Sequence, residues 1–208
     1  MSTRSPGRPR SEPARRAILA AGARLVEDEG YGALTMQRIA RSAGVSKQTV
    51  YRWWPSKAAV VLEAVNEAAQ AAAPAPNAGS LETNLRGLLR STVAGITVRN
   101  ARMLAALMAE AQLDEDFARA FRSGFLARRR EVLLEVLERA RARGEIAESV
   151  ETEFLAELVF GAVWYRILSR HAPLDRRFAD QLTESVLALA GAAIWPERPR
   201  RDGAVGVL

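Results

Sequence analysis

Between Ala43 and Lys57 the chain reads AGVSKQTVYRWWPSK. These fifteen residues gather three cations (Lys47, Arg52, Lys57), an amide (Gln48), four hydroxyls (Ser46, Thr49, Tyr51, Ser56) and the two indoles Trp53 and Trp54. Advancing about 100° per residue from Val50, as an α-helix does, puts Trp54 about 40° away on the same side. Val50 and Trp54 therefore form an inward face. Gln48 and Arg52 fall opposite it, with Thr49 and Trp53 on one flank and Lys47 and Tyr51 on the other. The chemistry of such a face is recognition of a polyanion. Glutamine can pair twice with the edge of adenine, and lysine favours guanine. The phenol OH of Tyr51 and the indole NH of Trp53 are donors on rigid arms that suit phosphate oxygens. Lys57 sits in the first turn of the next helix, where backbone NH groups also attract phosphate. The alternative for Tyr51 and Trp53 is packing against that next helix, and for Lys57 simple solvation.

Such a face needs supports on both sides. Ser46 can cap the helix that carries it, and Pro55 ends that helix within about two turns. Gly44 supplies the turn before it, and Thr35 can cap a preceding short helix with an apolar side of Met36, Ile39, Ala40 and Ala43. Before that, Ser11 and Pro13 open an amphipathic helix striped by Ile18, Gly22, Leu25 and Val26, which Gly30 and Gly32 stop. Ser56 starts a fourth helix that runs to about Gln70. Two short helices around Ala43-Gly44-Val45, bracketed by longer ones, make a helix-turn-helix whose third helix would lie in the major groove of double-stranded DNA.

Charge is distributed to match. Residues 1–57 hold eleven Arg or Lys against four Asp or Glu, while residues 58–208 hold nineteen against twenty. The positive excess lies wholly in the first quarter, and a basic module joined to a near-neutral one points to a polyanion partner for the first part. The chain has no cysteine and one histidine, His171, which removes thiolate chemistry and a histidine-rich metal site. No phosphate-cradling glycine loop or metal-ligand cluster occurs, and acidic pairs such as Glu151 and Glu153 lie at a helix start where they complement its dipole. Neither an enzyme nor a cofactor is expected. With no signal peptide and no long uncharged apolar segment, a soluble cytoplasmic protein without a membrane partner is expected.

Helical spacing recurs almost everywhere and period-two alternation is missing, so the fold class is all-α with about nine helices. A basic arm over 1–10 is followed by the helix-turn-helix over 11–57 and a connecting helix over 58–72. The proline-rich AAAPAPNAGS breaks the chain, a regulatory and dimerisation domain follows over 80–195, and a disordered tail covers 196–208. Helices are predicted over about 81–98, 101–112, 116–143, 152–170 and 175–194. Arg128, Arg129 and Arg130 are expected to form solvated ion pairs with Glu131, Glu135 and Glu138 along one of them.

Residues 14–62, ARRAILAAGARLVEDEGYGALTMQRIARSAGVSKQTVYRWWPSKAAVVL, resemble the DNA-binding domain of the TetR family of bacterial transcription regulators. The likeness covers the Gly-Tyr turn, the Thr, Ile-Ala, Ala-Gly-Val-Ser, the Tyr, the aromatic pair and the Lys. It departs at Trp54, where phenylalanine is commoner, and at Gly22, where alanine is. The resemblance implies base contacts from Gln37, Lys47, Gln48 and Thr49, and phosphate contacts from Thr35, Tyr51, Trp53 and Lys57. Gly7-Arg8-Pro9-Arg10 resembles the core of an AT-hook, which would place Arg8 and Arg10 in a minor groove.

The same resemblance gives the remaining helices a small-molecule effector site and a homodimer surface, and RILSRHAPLDRRFADQLTESVLALAGA is similar to the end of one C-terminal subgroup. Large side chains available to an effector pocket include Met103, Leu107, Phe121, Phe125, Trp164 and Tyr165. The last two helices offer Leu155, Leu158, Val159 and Ala162 with Leu182, Val186, Leu189 and Ala193 for a four-helix dimer bundle. A two-fold dimer implies a near-palindromic operator. The expected function is a homodimeric repressor released from that operator by an effector. Its rivals are an architectural DNA-coating protein and a helical small-molecule-binding protein or enzyme with no DNA role.

Overall fold

A computed structural model of the protein describes residues 11–70 and 75–191. The basic arm with Arg8 and Arg10, the tail, and the dimer candidate Ala193 lie outside the described residues. Every regular element among the described residues is helical. In order these are α1 (Glu12–Glu29), a 3-10 turn (Tyr31–Ala33), α2 (Met36–Ser42), α3 (Lys47–Tyr51), α4 (Lys57–Gln70), α5 (Leu81–Gly95), α6 (Val98–Leu113) and α7 (Glu115–Ala120). A π-helical turn (Phe121–Leu126), α8 (Ala127–Ala142), α9 (Thr152–Ser169) and α10 (Arg176–Ala190) complete the described chain. The caps follow the residue types. Thr35, Ser46, Thr97, Asp114 and Asp175 each accept a backbone N–H with the side chain at a helix start. Gly30 ends α1 at a φ of 86°, a conformation that L side chains rarely adopt.

Where the sequence predicts one helix over 116–143, the structure runs α7, the π turn and α8 together without a break. Counted once, that run makes nine helical rods among the described residues. Phe117, Phe121 and Phe125 recur every fourth residue through the π turn and stack, with ring centroids 6.2 and 5.2 Å apart. Gly124 within the turn faces α4 so closely that a Cβ there would come 2.7 Å from Asn66 Nδ2. A side chain at this position would require Asn66 to swing aside.

The described helices pack as two compact units, one of residues 11–70 with 96–128, the other of residues 75–95 with 129–191. This division does not follow chain order. α6 and α7, which the sequence groups with the C-terminal domain, pack with the N-terminal helices: α6 touches α1 and α4, and the π turn touches α4. In the first unit Ile18 and Val26 of α1, Met36 and Ile39 of α2, Val60 and Val61 of α4 and Leu107 of α6 are buried. Gly22 lies at the contact of α1 with α4, where a Cβ would stand 3.1 Å from Val60 Cγ1.

In the second unit α5 packs chiefly on α10, burying Leu85, Leu89 and Val93 with Phe178, Ala179 and Val186. The Arg90 guanidinium straddles Asp180, Nε to Oδ1 at 2.7 Å and an Nη to Oδ2 at 2.9 Å, and Arg86 adds a contact at 3.3 Å. Along α8, Glu135 pairs with Arg139 and Glu138 accepts the Thr152 hydroxyl. Burial pushes the Arg129 guanidinium down to about 10, which is not the solvated side chain expected from the sequence.

The Arg90 hydrogen bonds, reinforced by Arg86, hold the Asp180 carboxyl below the usual carboxylate range. A depressed folded pKa contributes stability above the ordinary value of about 3.9 that is lost as pH falls through the folded one. Asp180→Asn is therefore expected to melt lower than the parent at neutral pH and to lose less on acidification. Circular-dichroism melts from neutral to acidic pH check this, and parallel melting curves at every pH would disprove it.

Candidate nucleic-acid interface

Among the described residues, α2, its turn and α3 carry the recognition chemistry that the sequence predicts. The turn closes with Val45 N–H donating to Ala40 O at 3.0 Å and Gly44, at a φ of 66°, donating to Arg41 O at 3.2 Å. Ser46 Oγ then accepts from Thr49 N–H at 3.1 Å and starts α3. A helix of five residues cannot hold itself together in water, because nucleation costs more than so few hydrogen bonds return. Packing holds it. Val50 is fully buried and Trp54 nearly so. Helical hydrogen bonds continue through Trp54 N–H to Val50 O at 3.1 Å, and Pro55, which cannot donate, stops them.

Trp54 is fixed at its polar end as well. Its Nε1 donates to Glu63 Oε2 of α4 at 2.6 Å, while Glu63 Oε1 accepts Arg15 Nε of α1 at 2.8 Å. Arg15 also reaches Glu67 at 2.5 Å. One carboxylate thus ties α1, α4 and the end of α3. The departure from the commoner phenylalanine supplies the NH that makes this tie.

With Val50 and Trp54 turned in, Lys47, Gln48, Tyr51 and Arg52 are exposed, as the helical spacing requires. Tyr51 is 47% exposed, and Lys47 Nζ stands 5.5 Å from its ring centroid. The other flank differs from expectation. Trp53 stacks on Trp54 at 5.7 Å between centroids and its Nε1 is enclosed, so the indole NH expected at a phosphate is not at the surface. Tyr51 is the outward aromatic. The cause is the size of the indole: beside Trp54, stacking removes more apolar area than a solvent-facing pose would. Thr49 is half-buried, with its hydroxyl 2.8 Å from Ser46 Oγ.

Of the residues implied by resemblance, Gln37 is exposed on α2. Thr35 caps α2 by accepting from Arg38 N–H at 3.2 Å, which leaves its hydroxyl proton available to donate. Lys57 is half-buried. Its Nζ lies 4.5 Å from the centroid of the Tyr31 ring and 3.4 Å from the Tyr31 carbonyl oxygen. The sequence assigns no contact to Tyr31 or Glu63, and local spacing does not reach Lys57 from Tyr31 or Arg15 from Glu63, 26 and 48 residues apart.

The effector and dimer candidates separate by unit and exposure. Met103, Leu107, Phe121 and Phe125 are buried in the first unit. Trp164 and Tyr165 belong to the second, and Tyr165 is 63% exposed beside the His171 ring, which is not the setting of a pocket residue. Leu155, Val159 and Val186 are buried in the second unit's own core and offer nothing to a partner, while Ala162 and Leu182 are half-buried. Leu158 and Leu189 remain exposed, joined by Tyr165 and Leu168. Among the described residues no group of His, Cys, Asp or Glu is arranged to hold a metal ion, and no helix is long and apolar enough to cross a membrane.

Two family models match the chain: "Bacterial regulatory proteins, tetR family" over residues 18–64 and "Tetracyclin repressor-like, C-terminal domain" over 75–186. The uncharacterized HTH-type transcriptional regulator YdeS of Bacillus subtilis is 34% identical over 162 residues, 78% of this chain and 82% of that one. An HTH-type transcriptional regulator of Mycobacterium tuberculosis is 30% identical over 186 residues, 89% and 88% of the two chains. The crystal structure of the TetR family transcription regulator SCO0332 superposes with a TM-score of 0.73 at 35% identity, covering 86% of this chain and 98% of that one. Thermus thermophilus FadR, solved with lauroyl-CoA, shares the fold at a TM-score of 0.63 and 22% identity, covering 91% and 100%.

Trp54→Phe keeps most of the buried ring and removes the donor to Glu63. A hydrogen bond to a charged acceptor that is partly in solvent is worth about 1 to 2 kcal/mol. The variant is expected to lose that much in urea unfolding, and unchanged stability would mean the tie contributes nothing.

Proposed function

The chain belongs to the TetR family of bacterial transcription regulators, and from that premise we propose that it is a homodimeric repressor that leaves a near-palindromic operator when a small molecule binds. One observation carries the DNA reading: on α3, Lys47, Gln48, Tyr51 and Arg52 are exposed together while Val50 and Trp54 are buried. This outward row of donors belongs to the segment that holds the whole positive excess. Gln37, Lys47, Gln48 and Thr49 are assigned to base edges. Thr35, Tyr51 and Lys57 are assigned to phosphate, and Trp53, whose indole NH is enclosed, is left out of that set.

The effector is assigned to the buried apolar side chains of the first unit, Met103, Leu107, Phe121 and Phe125, which would favour an apolar ligand. The lauroyl-CoA held by the Thermus thermophilus relative in fold is in keeping with that class. The partner copy is assigned to the exposed row Leu158, Tyr165 and Leu168 of α9 with Leu189 of α10. Exposed apolar side chains on neighbouring helices are what a two-fold bundle needs.

If the dimer neutralises about 6 to 10 phosphates, affinity should fall by about 10³ to 10⁵ between about 50 and 200 mM salt. Gln48→Ala is expected to relax base preference at one operator position at a cost of about 1 to 3 kcal/mol, whereas Lys57→Ala weakens all sequences alike. Gel shifts on an operator selected from random duplexes, followed by footprinting, test both. A continuous ladder of protection would instead favour a DNA-coating protein, and no protection at low salt would exclude both readings. Leu158→Glu places a charge in the assigned dimer face. Light scattering should find this variant monomeric at concentrations where the parent is a dimer, and an intact dimer would remove this face from the assignment.

A further inference from the structure

Tyr31, in the 3-10 turn between α1 and α2, touches two residues that are distant in sequence. On one side the Lys57 ammonium stands 4.5 Å from its ring centroid and donates to its carbonyl oxygen at 3.4 Å. On the other its phenol OH donates to Glu110 Oε1, in the last turn of α6, at 3.4 Å. All three residues lie in one compact unit. Burial, together with the neighbouring Glu110 charge, holds the Tyr31 phenol above its usual range, so it remains a donor at neutral pH.

A lysine on the surface explores many rotamers, and fixing them when a ligand arrives costs affinity. Lys57 is already fixed. Its ammonium has three N–H groups; the carbonyl takes one and the ring face attracts the cation without using up the rest. We propose that Tyr31 is the positioning residue for Lys57, holding its ammonium ready for a DNA phosphate, and that Glu110 of α6 holds Tyr31 in turn. This rests on the phosphate role assigned to Lys57 above. It also gives α6 a path to the DNA-binding face through a single side chain: a change at Glu110 frees the ring, and a freed ring releases the lysine.

The test is a double-mutant cycle on the full chain, read by fluorescence anisotropy with a labelled duplex of mixed sequence at low salt, a fair probe because phosphate contacts do not read sequence. Tyr31→Leu removes the ring, and Tyr31→Phe keeps it but releases Glu110. Tyr31→Leu is expected to weaken binding about 2- to 5-fold per subunit, the range of an exposed cation–π contact, with Tyr31→Phe and Glu110→Gln costing less. Neither Tyr31 variant should weaken binding further once Lys57 is alanine. Because a simple folding role would act in both backgrounds, an equal loss from Tyr31→Phe with and without Lys57 overturns the positioning role and leaves the DNA reading intact. If Lys57→Ala alone changes neither affinity nor salt slope, the phosphate assignment falls and the positioning role falls with it. If the parent chain does not bind the duplex at all, the DNA-binding reading fails.

Discussion

The Glu63 carboxylate is the constraint on which the geometry of α3 depends. It lies on α4 and accepts from Arg15 of α1 through one oxygen and from Trp54, just past α3, through the other. Arg15 is held by Glu12 and Glu67 as well, so the tie is a small network. Charge-assisted hydrogen bonds of this kind are directional, whereas the apolar packing of Val50 and Trp54 alone would tolerate some rotation of α3 about its axis. An α3 of five residues has no rigidity of its own. Its orientation is borrowed from α2, against which it packs, and from α1 and α4 through the Glu63 tie.

Once α3 is oriented, its outward row follows from helical geometry, and the rest of the first unit works to keep that orientation. Lys57 begins α4, the helix that carries Glu63 six residues later and Asn66 beyond it. Asn66 faces Gly124 in the π turn, whose neighbours Phe121 and Phe125 are among the largest fully buried side chains. α4 therefore has α3 near one end and the π turn packed against it, all within one packed unit. Residues assigned to phosphate and residues assigned to the effector are accordingly separated by one helix. A π turn is a local misfit in helical hydrogen bonding, and such misfits occur frequently at functional sites.

Much of this was legible without coordinates. The caps at Thr35 and Ser46, the turn at Gly44 and the stop at Pro55 are local chemistry, and the helices start and end within a few residues of where those signals fall. The inward pairing of Val50 with Trp54 and the exposure of Gln48 and Arg52 came from the period of the helix alone. The flanks could not be settled in that way. Thr49 and Trp53 stand at a boundary angle, and only the neighbouring Trp54 ring decides that Trp53 lies down on it while Tyr51 stays out. The same ambiguity governs α9, where apolar residues occur around much of the helix. Leu155 and Val159 turn into the unit's core, and Leu158, Tyr165 and Leu168 turn away from it.

By itself, then, the sequence determined the helical class, the order and limits of most helices, the helix-turn-helix and the residues at the centre of its outward face. Each of these depends on side chains a few positions apart, where backbone geometry fixes the relation. Tertiary structure alone decided that Trp53 stacks inward, that α6 and α7 pack with the N-terminal helices, and that Tyr31 stands between Lys57 and Glu110. Those outcomes depend on residues brought together from distant parts of the chain, and helical period gives the phase of a helix without saying which neighbour covers it.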